Sequence, residues 1–272
     1  MAAETDRRGA AALIGAAHTV VVKVGSSLLI DRDRGRPRTA WLHALAEDLA
    51  KLREDGKRVV IVTSGAMAFG WPRLGMARSD IVTERQAAAA AGQTLLMGAW
   101  ENALGPHDIV AAQLLLSIGD IEAERRGANA HGTLETLLAR GAVPVINEND
   151  SVATEELRFG DNDRLSASVA QLAGADLLIL LSDVEGLFSA DPSADPDAEH
   201  LPFLAAITPE IEAMAGVSTS GMGTGGMATK IAAARFAAGH SCATIIASGQ
   251  AAHPIERLRG GARATVVAAA KA

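Results

Sequence analysis

The sequence has few aromatic residues and no surplus of positive charge. Only 3% of its 272 residues are aromatic, Tyr is absent, and the formal net charge is −7. Proteins that bind nucleic acid depend on basic surfaces and, for single strands, on aromatic side chains that stack on the bases. The composition therefore predicts no nucleic-acid partner, and an anionic substrate would have to be met by local positive charge.

Cysteine and long apolar runs are equally scarce. Cys242 is the only cysteine, which excludes an intramolecular disulfide and is typical of a reducing compartment. No run approaches the roughly 18 consecutive apolar residues of a membrane span, and residues 1–17 are too rich in Gly and Ala for a signal peptide. We therefore predict a cytoplasmic protein with no membrane partner and with a flexible N-terminus over residues 1–17.

The chain does contain a series of short apolar runs rich in Val, Ile and Leu. Their apolar residues are continuous rather than alternating, which is typical of strands buried on both faces of a parallel sheet. The runs cover residues 19–27, 58–66, 108–117, 142–150, 176–186 and 243–249. Helical patterns lie between them, for example at 39–55, where Leu recurs on one face and Gly56 supplies a stop. This order predicts an α/β fold, a three-layer αβα sandwich with a mostly parallel central sheet, formed by one domain over residues 18–272.

The residues that follow the predicted strands are the first candidates for a functional site. In open parallel sheets, ligands bind beyond the carboxyl ends of the strands. These residues are small or polar, so their backbone N–H groups can approach a ligand closely. They are Lys23–Ser27, Thr63–Ala66, Asn147–Asp150 and Ser182–Asp183.

Lysine is used sparingly, because only five of the 25 basic residues are Lys. Lys23 follows a buried strand, and Lys230 follows the glycine-rich stretch at 220–229. A compact ammonium beside Gly, Ser and Thr backbone suits phosphate oxygens, so both lysines are candidate phosphate ligands. The alternatives are a strand-end charge that reaches solvent for Lys23 and an ordinary helix position for Lys230.

The glycine-rich stretch matches two nucleotide motifs only in part. Residues Gly221–Gly226 have the letters of G-x-G-x-x-G, but no strand precedes them, and no acid follows where a dinucleotide fold holds the ribose. The stretch is not a Walker A loop either, since no Gly-Lys-Ser/Thr occurs. A glycine-rich loop that opens onto a helix from about Met227 is nevertheless a suitable phosphate site.

The sequence lacks the usual spacing motifs for metals and activated nucleophiles. Its seven His residues show no zinc spacing, the acidic stretch 146–163 lacks the spacing of a calcium loop, and no G-x-S-x-G elbow occurs. Two lysines, a glycine-rich loop and hydroxyl-bearing strand ends instead favour phosphoryl transfer. In that reaction a protein mainly positions two anions and offsets the charge between them.

Several motifs together resemble one known superfamily. The stretches VVKVGSSLL, VIVTSGAMAFG, PVINENDSV, FGDND, SDVEGLF and GTGGMATK occur in the order and approximate spacing of the amino acid kinase superfamily. INEND followed by FGDND is similar to its glutamate 5-kinase family, and the resemblance covers about residues 18–270. It implies the amino acid kinase fold. It also implies ATP-dependent phosphorylation of the γ-carboxylate of L-glutamate to L-glutamate 5-phosphate, the first step of proline biosynthesis.

The resemblance assigns roles to individual residues. Lys23 and Lys230 would contact the transferred phosphoryl group, Asp163 would orient the two lysines, and all three would be catalytic. The residues implied for glutamate are Ser64, Asp150 and Asn162. The residues implied for ATP are Lys23, Gly25, Ser26, Ser182, Asp183, Thr224, Gly225, Gly226, Met227, Ala228, Thr229 and Lys230. Mg²⁺ would arrive with ATP, so no metal ligands are assigned to the protein.

The resemblance also implies an organisation and a set of partners. Residues of about 18–170 would form a glutamate-binding half and residues of about 171–270 an ATP-binding half, without the C-terminal PUA domain that many members carry. Proline would be a feedback inhibitor, and the chain would form a homo-oligomer. Its product would be handed over to glutamate-5-semialdehyde dehydrogenase.

Three other interpretations stay open from the sequence. The first is a kinase of the same superfamily that acts on another amino acid, although Asp150 favours a substrate with a free α-ammonium. The second is a catalytically silent module that binds nucleotide or proline. The third, a nicotinamide dehydrogenase, depends on the G-x-G-x-x-G letters alone.

Overall fold

The computed structural model describes residues 9–31, 36–152, 162–192, 194–216 and 226–270. Its strands are β1 (Thr19–Val24), β2 (Ile30–Asp31), β3 (Arg36–Pro37), β4 (Arg58–Thr63), β5 (Ala111–Leu116), β6 (Val143–Glu148), β7 (Leu177–Ser182), β8 (Phe203–Leu204), β9 (Ala243–Ser248) and β10 (Ala264–Val267). Within the described residues, eight of them form one sheet in the order β5-β6-β4-β1-β7-β9-β10-β8, and β2 pairs with β3 in a separate hairpin.

The helices connect the strands and cover the sheet. They are α1 (Ala10–Ala16), α2 (Ser26–Leu29), α3 (Thr39–Glu54), α4 (Ala66–Arg73), α5 (Val82–Leu104), α6 (Ile118–Glu122), α7 (Glu124–Ala139), α8 (Asn162–Leu172), α9 (Pro209–Met214), α10 (Met227–Gly239) and α11 (Pro254–Arg259). A short 3-10 turn follows α5 at Gly105–His107.

The central sheet is mostly parallel, as its continuous apolar runs predict. Within the described sheet, β10 pairs antiparallel with β9, and the remaining neighbours run parallel. Each of the six predicted runs contains one of these strands. The parallel strands β1, β4, β6 and β7 are buried along almost their whole length, which explains why polar residues do not alternate in them.

Hydrophobic cores on the two faces of the sheet make the fold a three-layer sandwich. Along β1, Val20, Val22 and Val24 belong to one core and Val21 belongs to the other, because successive side chains of a strand point to opposite faces. Leucines of α3 pack in the first core, and residues of α8 and α10 pack in the second. The predicted αβα arrangement is therefore confirmed.

Helices α4 and α5 pack backbone against backbone. A Cβ added at Gly70 would lie 1.7 Å from the carbonyl oxygen of Ala88, and one added at Gly92 would lie 1.8 Å from that of Ala66. No side chain fits in that space, so glycine is required at both contacts. The alanine-rich run at the start of α5 therefore serves close approach to α4.

One local expectation is wrong where the chain is described. Part of the N-terminus expected to be flexible forms α1, because Ile14 is fully buried in the core and Lys57 Nζ donates hydrogen bonds of 2.8 Å to the carbonyl oxygens of Gly15 and Ala17. Residues 1–8 lie outside the described part. Strands β2 and β3 form their hairpin on either side of residues 32–35, which also lie outside the described part.

None of the described helices is both long enough and apolar enough to cross a membrane.

Candidate active site

Several predicted site residues lie at or just beyond the carboxyl ends of neighbouring strands. In the sheet register Lys23 lies beside Val62 of β4 and Leu180 of β7, so it stands one residue before the end of the central strand. Because parallel strands end at the same edge, the segments after β1, β4, β6 and β7 lie together. Gly65, between β4 and α4, has a φ of +103°, a backbone conformation that glycine adopts readily.

Two lysines from opposite ends of the sequence meet at one carboxylate. Lys23 Nζ lies 2.6 Å from Asp163 Oδ1, and Lys230 Nζ lies 3.2 Å from Asp163 Oδ2. Thr229 Oγ1 donates a hydrogen bond of 2.8 Å to the same Oδ2. The exposed fractions of Lys23, Asp163 and Lys230 are 6%, 1% and 4%, so this cluster is almost removed from water.

The two lysines determine the charge state of Asp163. Burial alone would raise the pKa of Asp163, but the ammoniums of Lys23 and Lys230 hold it well below its usual range. The carboxylate therefore stays ionised and keeps both ammoniums in place. Two ammoniums and one carboxylate leave one net positive charge, which suits a polyanion at this edge of the sheet.

A cluster of amide side chains lies next to the lysines. Asn162 Nδ2 lies 2.8 Å from the carbonyl oxygen of Thr63, 2.8 Å from Ser64 Oγ and 3.1 Å from Asn147 Oδ1, so these acceptors share its two hydrogens. Asn147 Nδ2 donates in turn to Gln93 Oε1 of α5 at 2.9 Å. Asn162 Oδ1 is buried and has no hydrogen-bond partner among the described residues.

Asp150 is a buried carboxyl group two residues after the end of β6. Its exposed fraction is 8%, and its Oδ1 is unpartnered within the described ranges. Burial, reinforced by the nearby carboxylate of Glu148 and opposed by Arg85 of α5, raises the pKa of Asp150 to about 7. A carboxylate in this state gains from a cationic ligand, because the ligand would offset the cost of burying its charge.

The residues predicted for the nucleotide lie at the ends of β1 and β7 and at the start of α10. Gly25 donates its N–H to the carbonyl oxygen of Leu181 at 3.3 Å and precedes α2, whose first residue, Ser26, is exposed. Ser182 is buried at the end of β7, and Asp183 after it is exposed. The predicted residues of the α10 start run from Gly226 through Met227, Ala228 and Thr229 to Lys230.

The start of α10 explains why the glycine-rich stretch suits phosphate. The first N–H groups of a helix lack partners within the helix and carry partial positive charge, so they bind anions. Lys230 lies on this first turn, which brings a full charge to the same place. Thr224 and Gly225 lie outside the described residues.

Two contributors to the amide cluster were given no role by the resemblance. Asn147 lies in a strand-end segment that the sequence did single out, and its place at the end of β6 was the available signal. Gln93 lies within α5, between Gly92 and Thr94, and no local pattern marks it. Only its contact with Asn147, 54 positions away, connects it to the site.

Comparison with known proteins gives the same family as the motifs. A model of the amino acid kinase family matches residues 18–248. The chain is similar to the glutamate 5-kinase of Caulobacter vibrioides, with 53% identity over 262 residues that cover 93% of this chain and 68% of the relative. It is also similar to the glutamate 5-kinase of Ruegeria sp., with 51% identity over 93% of this chain and 69% of that protein.

Solved structures share the fold at low sequence identity. The UMP kinase from Ureaplasma parvum superposes with a TM-score of 0.63 at 17% identity, covering 92% of this chain and 98% of that one. An isopentenyl phosphate kinase gives a TM-score of 0.61 at 20% identity, covering 92% of this chain and all of the other. At such identities the likeness shows the fold alone.

Proposed function

The chain belongs to the amino acid kinase family and, within it, to the glutamate 5-kinases, and we propose that it phosphorylates the γ-carboxylate of L-glutamate with ATP. The product is L-glutamate 5-phosphate, the first intermediate of proline biosynthesis. One observation carries the proposal: Lys23 and Lys230 converge on buried Asp163 at the edge where the strands end.

In the proposed reaction, a γ-carboxylate oxygen of glutamate attacks the γ-phosphorus of ATP. A new O–P bond forms, the bond from that phosphorus to the β,γ-bridging oxygen breaks, and ADP leaves with the electron pair. Both reactants are anions, so they repel each other on approach. Lys23 and Lys230 offset this repulsion, and they act most strongly on the equatorial oxygens in the transition state. Asp163 holds the ammoniums in position before the reactants arrive, which removes a reorganisation cost.

We treat Mg²⁺ as part of the nucleotide substrate. No group of three or more His, Cys, Asp or Glu in the described residues is arranged to hold a metal ion. Both oxygens of Asp163 already face ammoniums, so this carboxylate is not available as a ligand. Mg²⁺ commonly binds to substrate phosphates and retains several waters, and it would neutralise part of the phosphate charge.

Glutamate would bind in the space beside the amide cluster. Asp150 Oδ1 and Asn162 Oδ1 are buried acceptors that lack partners in the described chain, and an α-ammonium supplies the donors that they need. Ser64 adds a hydroxyl next to Asn162. The same acceptors disfavour acetylated amino acids, whose amide carries no positive charge and a single hydrogen.

A hydroxamate assay tests the proposal. The protein is incubated with ATP, Mg²⁺ and glutamate, and the acyl phosphate is trapped with hydroxylamine as γ-glutamyl hydroxamate. Wild-type protein should form it, and Lys23→Ala and Lys230→Ala should lower kcat by at least about 100-fold, the scale of losing a preorganised transition-state charge. Hydroxamate from wild type that does not exceed the Lys230→Ala level would refute the proposal.

The same assay separates the second candidate, a kinase for another amino acid. A panel of aspartate, acetylglutamate and glutamate ranks the substrates by kcat/KM, and glutamate should come first. Run with and without proline, it also tests feedback inhibition. Three predictions from the resemblance stay predictions: homo-oligomer formation, product transfer to glutamate-5-semialdehyde dehydrogenase and the division into two substrate-binding halves. A cytoplasmic location stays a prediction from the composition.

A further inference from the structure

The amide cluster forms a relay that runs from the sheet to helix α5. It starts at the carbonyl oxygen of Thr63, passes through the amides of Asn162 and Asn147, and ends at Gln93. Asn147 and Asn162 are each 3% exposed, so water does not compete freely for these hydrogen bonds. Each side-chain amide is thus positioned by the next one.

The direction of the relay is set by the backbone. A carbonyl oxygen can only accept, so the Asn162 atom that lies 2.8 Å from the oxygen of Thr63 has to be its NH₂ group. Asn147 must then present its oxygen to Asn162, which turns its NH₂ group towards Gln93. Gln93 therefore accepts through its oxygen. The positions of nitrogen and oxygen in each amide of the relay follow from the Thr63 carbonyl.

This direction determines which atom of Asn162 is left without a partner in the described residues. Its NH₂ group is used within the protein, and its Oδ1 is left as a buried acceptor with no partner in the described residues. If the amide were reversed, Asn162 would present a donor there and would favour a carboxylate over an ammonium. The relay therefore decides which chemical group would pair with Asn162 at this point.

We propose that Gln93 is a positioning residue for substrate specificity: it holds the amide of Asn147 in place, so that Asn162, whose direction Thr63 sets, keeps its acceptor towards the α-ammonium of the substrate. This inference rests on the proposed function and extends it to a residue that acts through Asn147. Gln93 acts through its Oε1, which receives the hydrogen bond of Asn147.

The packing of α5 makes Gln93 suitable for this role. The preceding residue, Gly92, lies against the backbone of α4, where an added Cβ would be 1.8 Å from the oxygen of Ala66. Helix α5 is therefore held at a fixed distance from the segment that carries Ser64. Oε1 of Gln93 keeps its position relative to Asn147 because α5 has no room to shift towards α4.

The test compares a variant that loses the acceptor with one that keeps it. In Gln93→Leu nothing accepts from Asn147, so the KM for glutamate should rise about tenfold, the scale of one buried hydrogen bond. Because the proposed role of Gln93 is exerted through Asn147 rather than on ATP or the phosphoryl group, kcat and the KM for ATP should stay within about twofold. Gln93→Glu offers an acceptor in either protonation state and should restore the KM for glutamate to within roughly threefold of wild type.

Controls separate this effect from a general packing defect. Gln171→Leu makes the same replacement at an exposed position of α8 and should leave all constants unchanged. Gln93→Met serves as a second variant, because its thioether is only a weak acceptor, and it should show the loss expected of Gln93→Leu if the latter folds poorly. Thermal melting of each variant establishes that it is folded at the assay temperature.

Three results would overturn the inference while leaving the proposed function intact. The first is an unchanged KM for glutamate in Gln93→Leu and Gln93→Met. The second is a Gln93→Glu variant that is as impaired as Gln93→Leu. The third is a fall in kcat together with a rise in the KM for ATP. Absence of glutamate turnover in wild type is a different outcome, because it would refute the proposed function itself.

Discussion

Replacing Asp150 by Asn should make the protein more stable and less active. Burial raises the pKa of this carboxyl from 3.8 to about 7, so the folded state holds the proton more tightly than the unfolded chain does. At about 1.4 kcal/mol for each pKa unit, ionised Asp150 costs the folded state about 4 kcal/mol above pH 7. The cost is absent below about pH 4, where both states are protonated, and it grows as the pH rises towards 7.

Asn keeps the shape of the side chain without the charge, so Asp150→Asn should remove this cost. At pH 8 we expect its melting temperature to rise by on the order of 10 °C for a domain of this size. The difference should fall to nearly zero at pH 4. In the hydroxamate assay, the KM for glutamate should rise roughly 10- to 100-fold, because a charge-assisted hydrogen bond to the α-ammonium is lost.

Thermal melts of wild type and Asp150→Asn across pH 4 to 8 measure the effect. Asp197→Asn provides the matched control, since Asp197 is exposed and the same loss of charge there should leave the melting temperature within about 1 °C. A variant that is less stable than wild type at pH 8, or a difference that does not depend on pH, would show that Asp150 is not held at a cost in the folded state.

The remaining predictions concern the charge cluster and the helix contact. Asp163→Asn leaves two buried ammoniums without a counter-charge, so it should lower the free energy of unfolding by about 3–5 kcal/mol and lower kcat. Urea denaturation measures the stability and the hydroxamate assay measures kcat. Unchanged stability would contradict the role of the ion pairs. Gly92→Ala forces α5 away from α4 and should cost about 1–3 kcal/mol or more. Gly98→Ala on the same helix, where an added Cβ meets no described atom within 4 Å, should instead stabilise by about 0.5–1 kcal/mol. Equal effects of the two glycine changes would show that the α4–α5 contact is not as close as described.

The layered fold could be predicted because its signals are local. A strand buried on both faces needs an uninterrupted apolar run, and each of the predicted runs contains a strand. The helix predicted at 39–55 matches α3 within one residue, since its apolar face and Gly56 lie in the same short window. Local signals failed for Ile14, where the helix depends on contacts with a distant part of the core.

The sequence by itself determined the chemistry of the site, and the tertiary structure decided its geometry. Lys23 could be selected because few lysines occur and this one lies near the end of a buried apolar run, and both properties are visible in the sequence. The 2.6 Å ion pair with Asp163 joins residues 140 positions apart, and the contact between Gln93 and Asn147 spans 54. Such pairs depend on strand order and helix packing. The raised pKa of Asp150 depends on burial, which is a property of all the surrounding chain. The residue type therefore determines which interactions a side chain can make. Only the folded environment decides which of its atoms remain available for a ligand.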